Sequence, residues 1–384
     1  MGGIYEKNHL TMKPSKKKIA FAGPWITKKE LAYVKDGVVN GFYATYDRHI
    51  KKLEKTVCEY LGVKYAIATH CCTVALHLAC VALDFKEGDE IICTDFSWIA
   101  TAYAISYTGA TPVFVDIDPK TWCIDPKAIE RAITKKTKGI MLVHTFGHPA
   151  DMDAIMAIAK KHKLKVVEDA APALGSIYKG KKTGTFGDIG CFSFQGAKIA
   201  VSGEGGILVT NDEELYHRAK LLANMGRTDR NAVFWSDMLG FQYTIANLTA
   251  SLALAQVERI EELVEHKRQI YRWYREELDG VEEIDVLEEQ PGCRSNYTYP
   301  SVFLPNHTRK QRDGIVAGLK DLNVHSRPAF PRMSEFPLYA PPRFDNPVAT
   351  SVAAQGISLP AAHNMTRRDV RFAARAFKKL VQEV

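Results

Sequence analysis

Among its eight cysteines the chain has no C-x-x-C pair, which removes the common zinc-knuckle and dithiol frameworks. The adjacent Cys71 and Cys72 neither bond each other easily nor make a spaced metal site, so free thiols in a reducing cytoplasm are expected, with no metal. No apolar run approaches the roughly 18 residues of a membrane-spanning helix, and the opening MGGIYEKNHLTMKPSKKK lacks the apolar stretch of a signal peptide. The expectation is a soluble cytoplasmic protein without a membrane partner. Glu6 stands where a myristoylation signal wants Ser or Thr, so the Met-Gly start is not read as a lipid site. Excess charge of one sign is also small: 51 Lys and Arg against 44 Asp and Glu leave +7. The basic residues are scattered apart from Lys16, Lys17, Lys18 and the group Lys160, Lys161, Lys163, Lys165. These read as solvated faces, or as attraction for a polyphosphate-bearing ligand. With no helix-turn-helix appendage and no basic terminal domain, nucleic acid is not indicated. There is no internal repeat and no low-complexity tract.

What is present is a chain of 384 residues, 46% hydrophobic and 25% charged, the balance of a globular protein too long for one small core. Short β-branched runs alternate with helical patterns: strands 65–68, 90–93, 139–143, 165–168 and 206–210, and helices 73–83, 98–107, 151–162 and 213–225. This is the rhythm of an α/β fold, a large three-layer domain around a mainly parallel sheet. Past residue 250 the pattern changes to one long helix over 252–278, a mixed segment containing YTYPSVFLP, a Pro- and aromatic-rich loop over 330–347, and a last helix over 367–381. The division expected is a large domain over 1–255, its first 20 residues loosely ordered, and a smaller C-terminal α+β domain over 256–384. Ligands of such sheets sit beyond the carboxyl ends of the strands, so the segments after the strands carry the chemistry.

Four of them stand out. THCCTV places Thr73 and Val74 at a strand-to-helix turn, where free N–H groups and the helix dipole suit an anion, although ordinary capping gives the same pattern. DFSWIATA puts Trp98 just before a helix, placed to stack on a planar ligand or to pack in the core. VVEDAAPALGS leaves Asp169 at the end of an apolar strand, poorly solvated and in need of a partner, or capping the next helix. CFSFQGAKIAVSGEGGILVTND sets Lys198 between apolar, glycine-containing stretches, where desolvation would make its amine nucleophilic; a snorkelling surface lysine is the alternative. Gly203, Gly205 and Gly206 precede their strand instead of following it, which removes the dinucleotide fingerprint. Together the four segments ask for one planar ligand with a phosphate, a ring nitrogen and an aldehyde, and pyridoxal phosphate fits.

The sequence also resembles the DegT/DnrJ/EryC1/StrS family of sugar aminotransferases, of the aspartate-aminotransferase fold (fold type I). The resemblance runs through GPWITKKELAYV, VHTFGHPADMDAIMAIAKKH, EDAAPALGS, GTFGDIGCFSF, SGEGGILVTND, GFQYTIANLTASLALAQVERI, RPAFPRMSEFPLY and GISLPAAHNMT. It implies that 1–255 binds pyridoxal 5'-phosphate through an internal aldimine on Lys198, with pyridoxamine phosphate as the intermediate of turnover. Asp169 is implied to pair with the ring nitrogen and Trp98 to stack on the ring. Cys72, Thr73, Val74 and Ser193 are implied phosphate contacts, with Gln242 reaching in from the neighbouring subunit of a homodimer with shared active sites. The implied reaction moves an amino group from L-glutamate to a nucleotide-linked 4-keto or 3-keto deoxysugar. A related branch dehydrates such sugars, but uses histidine where this chain has Lys198; a non-catalytic, cofactor-binding regulator is the other alternative. Three departures follow from the same comparison. Cys71 and Cys72 stand where Ser-Gly or Asn-Gly is common, so a side chain is expected to crowd the phosphate's approach. Pro172 replaces a Gln or His that bonds the ring hydroxyl, leaving water, His148 or Gln195 to serve it. Gln242 and Thr244 stand in a segment that often reads G-Y-N-Y-R.

Overall fold

The computed structural model describes residues 12–227 and 235–383. A seven-stranded sheet runs, edge to edge, through Tyr65–Thr69, Gly206–Thr210, Ile189–Ser193, Lys165–Asp169, Thr137–Val143, Glu90–Thr94 and Thr111–Val115. Gly206–Thr210 is antiparallel to both neighbours; the other pairings are parallel. Both faces are covered, which is why these strands read as continuous apolar runs. The period-two alternation still sorts the side chains: Ile91, Met141, Val167 and Leu208 pack under helices Cys72–Ala82, Ala100–Ser106 and Glu213–Ala223. Ile92, Ile140 and Val166 face helices Pro126–Ala132 and Met152–His162 on the other side. Ala66, Ala68 and Ile207 meet Arg48–Leu61 and Asn247–Val257 there.

Register brings several strand ends together. Asp169 pairs with Val143 on one side and Cys191 on the other, and Ser193 and Thr69 flank Gly206. The carboxyl ends of these four strands thus meet the amino end of Gly206–Thr210 at one edge, the place where parallel sheets leave room for a ligand.

A second, smaller core is built on the antiparallel strands Asp285–Val286, Ser301–Phe303, Gly356–Ser358 and Arg327–Pro328, with helices Ile260–Leu278, Arg309–Asp321 and Arg367–Gln382 packed on it. Of the segment expected to be loose, residues 1–11 lie outside the described residues. The remainder is tied down: Ser15 and Ile19 donate backbone N–H groups to Leu322 and Asn323, and Ile19 is buried in the smaller core.

The long helix expected over 252–278 is two helices, Asn247–Val257 and Ile260–Leu278. Ion pairs that helical periodicity does not reveal gather at the break. Glu258 turns out to Lys29 and Lys52, and Arg259 leaves helical geometry to pair with the buried Glu30 at 2.6 Å and with Glu262 at 2.9 Å. The two pieces also pack differently: the first is buried nearly all round, the second along one stripe. Within the expected loop over 330–347, a short 3-10 turn, Met333–Glu335, aims the Ser334 N–H and hydroxyl at the buried Asp95, both at 2.8 Å.

Candidate active site

At the shared strand edge lies a cavity of about 460 Å³ whose lining includes Thr73, Trp98, Asp169, Ser193 and Lys198. Four segments far apart in sequence therefore meet as the expectation required.

The anion end is the start of helix Cys72–Ala82. Cys71 is its N-cap in extended backbone, and no side chain caps it, so the first N–H groups are left for a ligand. Gly206 explains how the turn sits so tightly on the sheet: a Cβ there would lie 2.6 Å from the backbone of Cys71 and Cys72. Cys71 and Cys72 both line the cavity at this turn; Cys72 is also buried against Ala75, Leu76 and Cys191, and burial pushes its thiol well above the ordinary range. Ser193, at the end of its strand, accepts from the Gln195 N–H at 3.3 Å, which leaves its hydroxyl proton free to donate.

At the other end Asp169 is only 5% exposed. Thr101 donates its hydroxyl to Asp169 Oδ2 at 2.8 Å, and the Ala171 N–H donates to Oδ1 at 3.1 Å. Burial nevertheless pushes the carboxyl above its usual range, with those two bonds and the charge of Lys198 opposing it. A carboxylate in that position gains from a cationic N–H donor. Beneath it, Glu168 is saturated: it accepts N–H groups from Gly184, Phe186 and Gly187 at 2.7, 2.6 and 2.7 Å, and bonds His144 Nε2 at 2.9 Å. The Ala150 N–H reaches His144 Nδ1 at 3.1 Å, so that nitrogen is the acceptor and Nε2 carries the proton. This fully bonded pair fixes the strand end that carries Asp169.

Lys198 sits in a loop held at both sides. Its own N–H donates to the Gln195 carbonyl at 2.8 Å, and the Tyr299 hydroxyl donates to the Ala197 carbonyl at 2.9 Å. The side chain is half-buried on the cavity wall, so it is not the surface lysine of the alternative reading. Trp98 is 63% exposed, which removes core packing as its role; its ring stands 6.3 Å from that of Phe330. Gln242 lies outside the lining of its own chain's cavity, donating its amide to the Thr244 hydroxyl at 3.1 Å.

Pro172 lines the cavity, and its carbonyl accepts from Asn296 Nδ2 at 2.9 Å and from the Thr298 hydroxyl at 2.6 Å. His148, offered as a substitute donor, is turned away: one ring nitrogen bonds the Pro149 carbonyl at 2.7 Å, the other takes the Gln290 N–H at 3.1 Å. Gln195 does line the cavity. Sequence reading missed Thr101, one turn beyond Trp98 and pointed at Asp169. It also missed Phe21, Tyr299 and Arg327, because a wall assembled from segments so far apart in the chain has no local signature.

The donor set suits a flat, phosphate-bearing, aldehyde-containing cofactor: an uncapped helix start, a buried carboxylate, an exposed indole and a half-buried amine. Among the described residues no group of three His, Cys, Asp or Glu could hold a metal, and no helix is long and apolar enough to cross a membrane.

Comparison with known proteins agrees. The chain belongs to the DegT/DnrJ/EryC1/StrS aminotransferase family, whose model matches residues 24–378. It has the fold type I architecture and is an aminotransferase that works with pyridoxal phosphate. It is 38% identical to the GDP-perosamine synthase of Escherichia coli O157:H7 over 347 residues, covering 90% of this chain and 94% of that protein. Identity to the GDP-perosamine synthase of Caulobacter vibrioides is 37% over 356 residues, 92% of this chain and 95% of the other. The solved sugar aminotransferase fold of Spr1654 from Streptococcus pneumoniae, in its PMP form, superposes with a TM-score of 0.91 at 26% identity, covering 96% and 98% of the two chains.

Proposed function

We propose that the protein transfers the amino group of L-glutamate to a nucleotide-linked keto-deoxysugar, with GDP as the nucleotide and a 4-keto sugar as the acceptor. The observation that carries this is that Lys198 and Asp169 line one cavity in a chain whose relatives are named for GDP-perosamine synthesis. In this reading the N–H groups of Cys72, Thr73 and Val74 and the Ser193 hydroxyl hold the cofactor phosphate. Trp98 covers one face of the ring, and Asp169 accepts from its protonated nitrogen. When bound, the cofactor supplies an electron sink for the carbanion formed at the substrate. Lys198 Nζ anchors the cofactor between turnovers and moves the proton off the donor's α-carbon. Retention of an amine at position 198 favours transamination over the dehydration carried out by the histidine-bearing branch.

The assembly in this reading is a homodimer with shared sites. Val39, Phe42 and Tyr43 stand exposed at the end of helix Lys28–Asn40, with Tyr43 at 96% exposure, and apolar side chains grouped that way ask for a covering surface. Gln242, unused by its own cavity, is the residue that reaches the neighbour's phosphate.

The test is turnover: purified protein with glutamate and a GDP-linked 4-keto-6-deoxysugar, followed by formation of 2-oxoglutarate and of an amino sugar by mass. Production of 2-oxoglutarate with no nitrogen in the sugar, for every nucleotide and keto position tried, would overturn the acceptor assignment.

A further inference from the structure

The cavity wall carries one guanidinium that the chemistry above does not use. The charged residues lining the cavity are Asp169, Lys198, Glu204 and Arg327. Arg327 has no ion-pair or hydrogen-bond partner among the described residues. It is nonetheless held. Its backbone belongs to strand Arg327–Pro328, paired with Ser358 of the neighbouring strand, and its Cζ lies 4.5 Å from the centre of the Phe21 ring. Phe21 in turn stacks on Tyr299, with ring centres 4.8 Å apart at 25°, and Tyr299 bonds the Ala197 carbonyl beside Lys198. An arginine stacked on a buried aromatic pair but left unpaired has its fork oriented in advance, so a planar or tetrahedral anion meets it at small entropic cost.

The position within the cavity decides which anion. A donor α-carboxylate hangs from the reacting carbon and must sit close to Lys198. Arg327 is linked to the Lys198 loop through two stacked rings and is exposed where Lys198 is half-buried, and on that ground we place it toward the cavity's mouth. The group of a nucleotide-sugar that lies out there, the length of a sugar ring away from the carbon being aminated, is the diphosphate. The other exposed charge of the lining is Glu204, so the rim would repel a diphosphate without Arg327.

The geometry points to Arg327 as the residue that binds the diphosphate of the sugar substrate, a specificity-determining contact that acts on the acceptor and not on the amino-acid donor. This assignment rests on the nucleotide-sugar reading given above, and the experiment separates the two. The pyridoxal-phosphate enzyme is prepared as wild type, Arg327→Ala and Arg327→Lys, with thermal melts and cofactor absorbance confirming that each folds and loads. GDP binding is measured by calorimetry, and the donor half-reaction by the cofactor's absorbance change on adding glutamate alone. Loss of one charge-assisted bidentate contact corresponds to roughly 10- to 100-fold weaker binding. The expected result is that drop in GDP affinity for Arg327→Ala, partial recovery in Arg327→Lys, and glutamate half-reaction rates within about twofold of wild type. A fall in the glutamate half-reaction with GDP binding intact would overturn the proposal and assign Arg327 to the donor carboxylate. Equal GDP affinity in all three proteins would overturn it as well. If wild type binds GDP in an Arg327-dependent way yet aminates no GDP-linked keto-sugar, the diphosphate site stands and the acceptor reading fails.

Discussion

Thr101 donates its hydroxyl to Asp169 at 2.8 Å, joining the helix after Trp98 to the strand end that faces the cavity. This bond opposes burial, which favours the neutral form of Asp169, in the direction that the role proposed above needs. Thr101→Val keeps the shape and removes one donor to the carboxylate. Its loss should cost about 1.5–3 kcal/mol in the charged form. Pyridoxal phosphate affinity, read by absorbance titration, should fall about tenfold or more, and Asp169→Asn should lower turnover far more than Thr101→Val does. Kinetics of Asp169→Asn equal to wild type would make Asp169 no more than a turn-forming residue.

Replacing Lys198 by Ala should abolish the covalent cofactor link and essentially all amino transfer, while the melting temperature stays close to that of wild type, because the side chain is only half-buried and its loop is held by backbone bonds. A borohydride-reducible adduct persisting in the Ala variant would assign the cofactor to another lysine. Lys198→His should likewise lose transamination, whatever elimination chemistry it permits.

Mixing Lys198→Ala subunits with Gln242→Ala subunits should regenerate up to about a quarter of wild-type activity, the statistical yield of one intact site per mixed dimer. Placing a charge on the exposed apolar face, as Tyr43→Glu, should lower the sedimentation coefficient and the activity together. No recovery after verified subunit exchange would separate Gln242 from the neighbouring site.

Lys267 gives a pH prediction for stability. It is 1% exposed, bonds only the carbonyls of Thr298 and Ala361, and burial holds it down at about 7. Below about pH 7 the amine is charged in both folded and unfolded chains. Between there and the ordinary lysine range near 10.5, the unfolded chain binds the extra proton, so folding stability rises with pH across that window. Urea unfolding should show wild type gaining roughly 1–3 kcal/mol from this group between about pH 7 and 9.5. Lys267→Met, which carries no proton to lose, should lack that increment. Parallel pH profiles for the two proteins would show that the ammonium is already relieved of its burial cost.

Five of the seven strands of the large sheet, and the helices 73–83, 98–107, 151–162 and 213–225, were legible because a buried strand or amphipathic helix is a local property of hydrophobic spacing; the strands Thr111–Val115 and Ile189–Ser193 and the helix Pro126–Ala132 were not read. Lys198, Asp169 and Thr73 could be singled out for a related reason: a polar group placed where apolar residues surround it is conspicuous in one dimension. The family resemblance supplied roles for Ser193 and Gln242 that spacing alone did not. Where tertiary structure decided, the cause was a partner distant in sequence. Arg259, outside helical geometry at the break, pairs with Glu30, buried far upstream. The turn at Cys71 and Cys72 sits tight on the sheet because Gly206, far downstream, has no Cβ to meet its backbone. His148 is lost to the cavity because Gln290 and Pro149 occupy both of its nitrogens. Arg327 lies over Phe21, which stacks on Tyr299, so three residues far apart in the chain meet at the cavity. Periodicity reports which face of an element is buried; it carries no information on which distant charge or ring that face will meet.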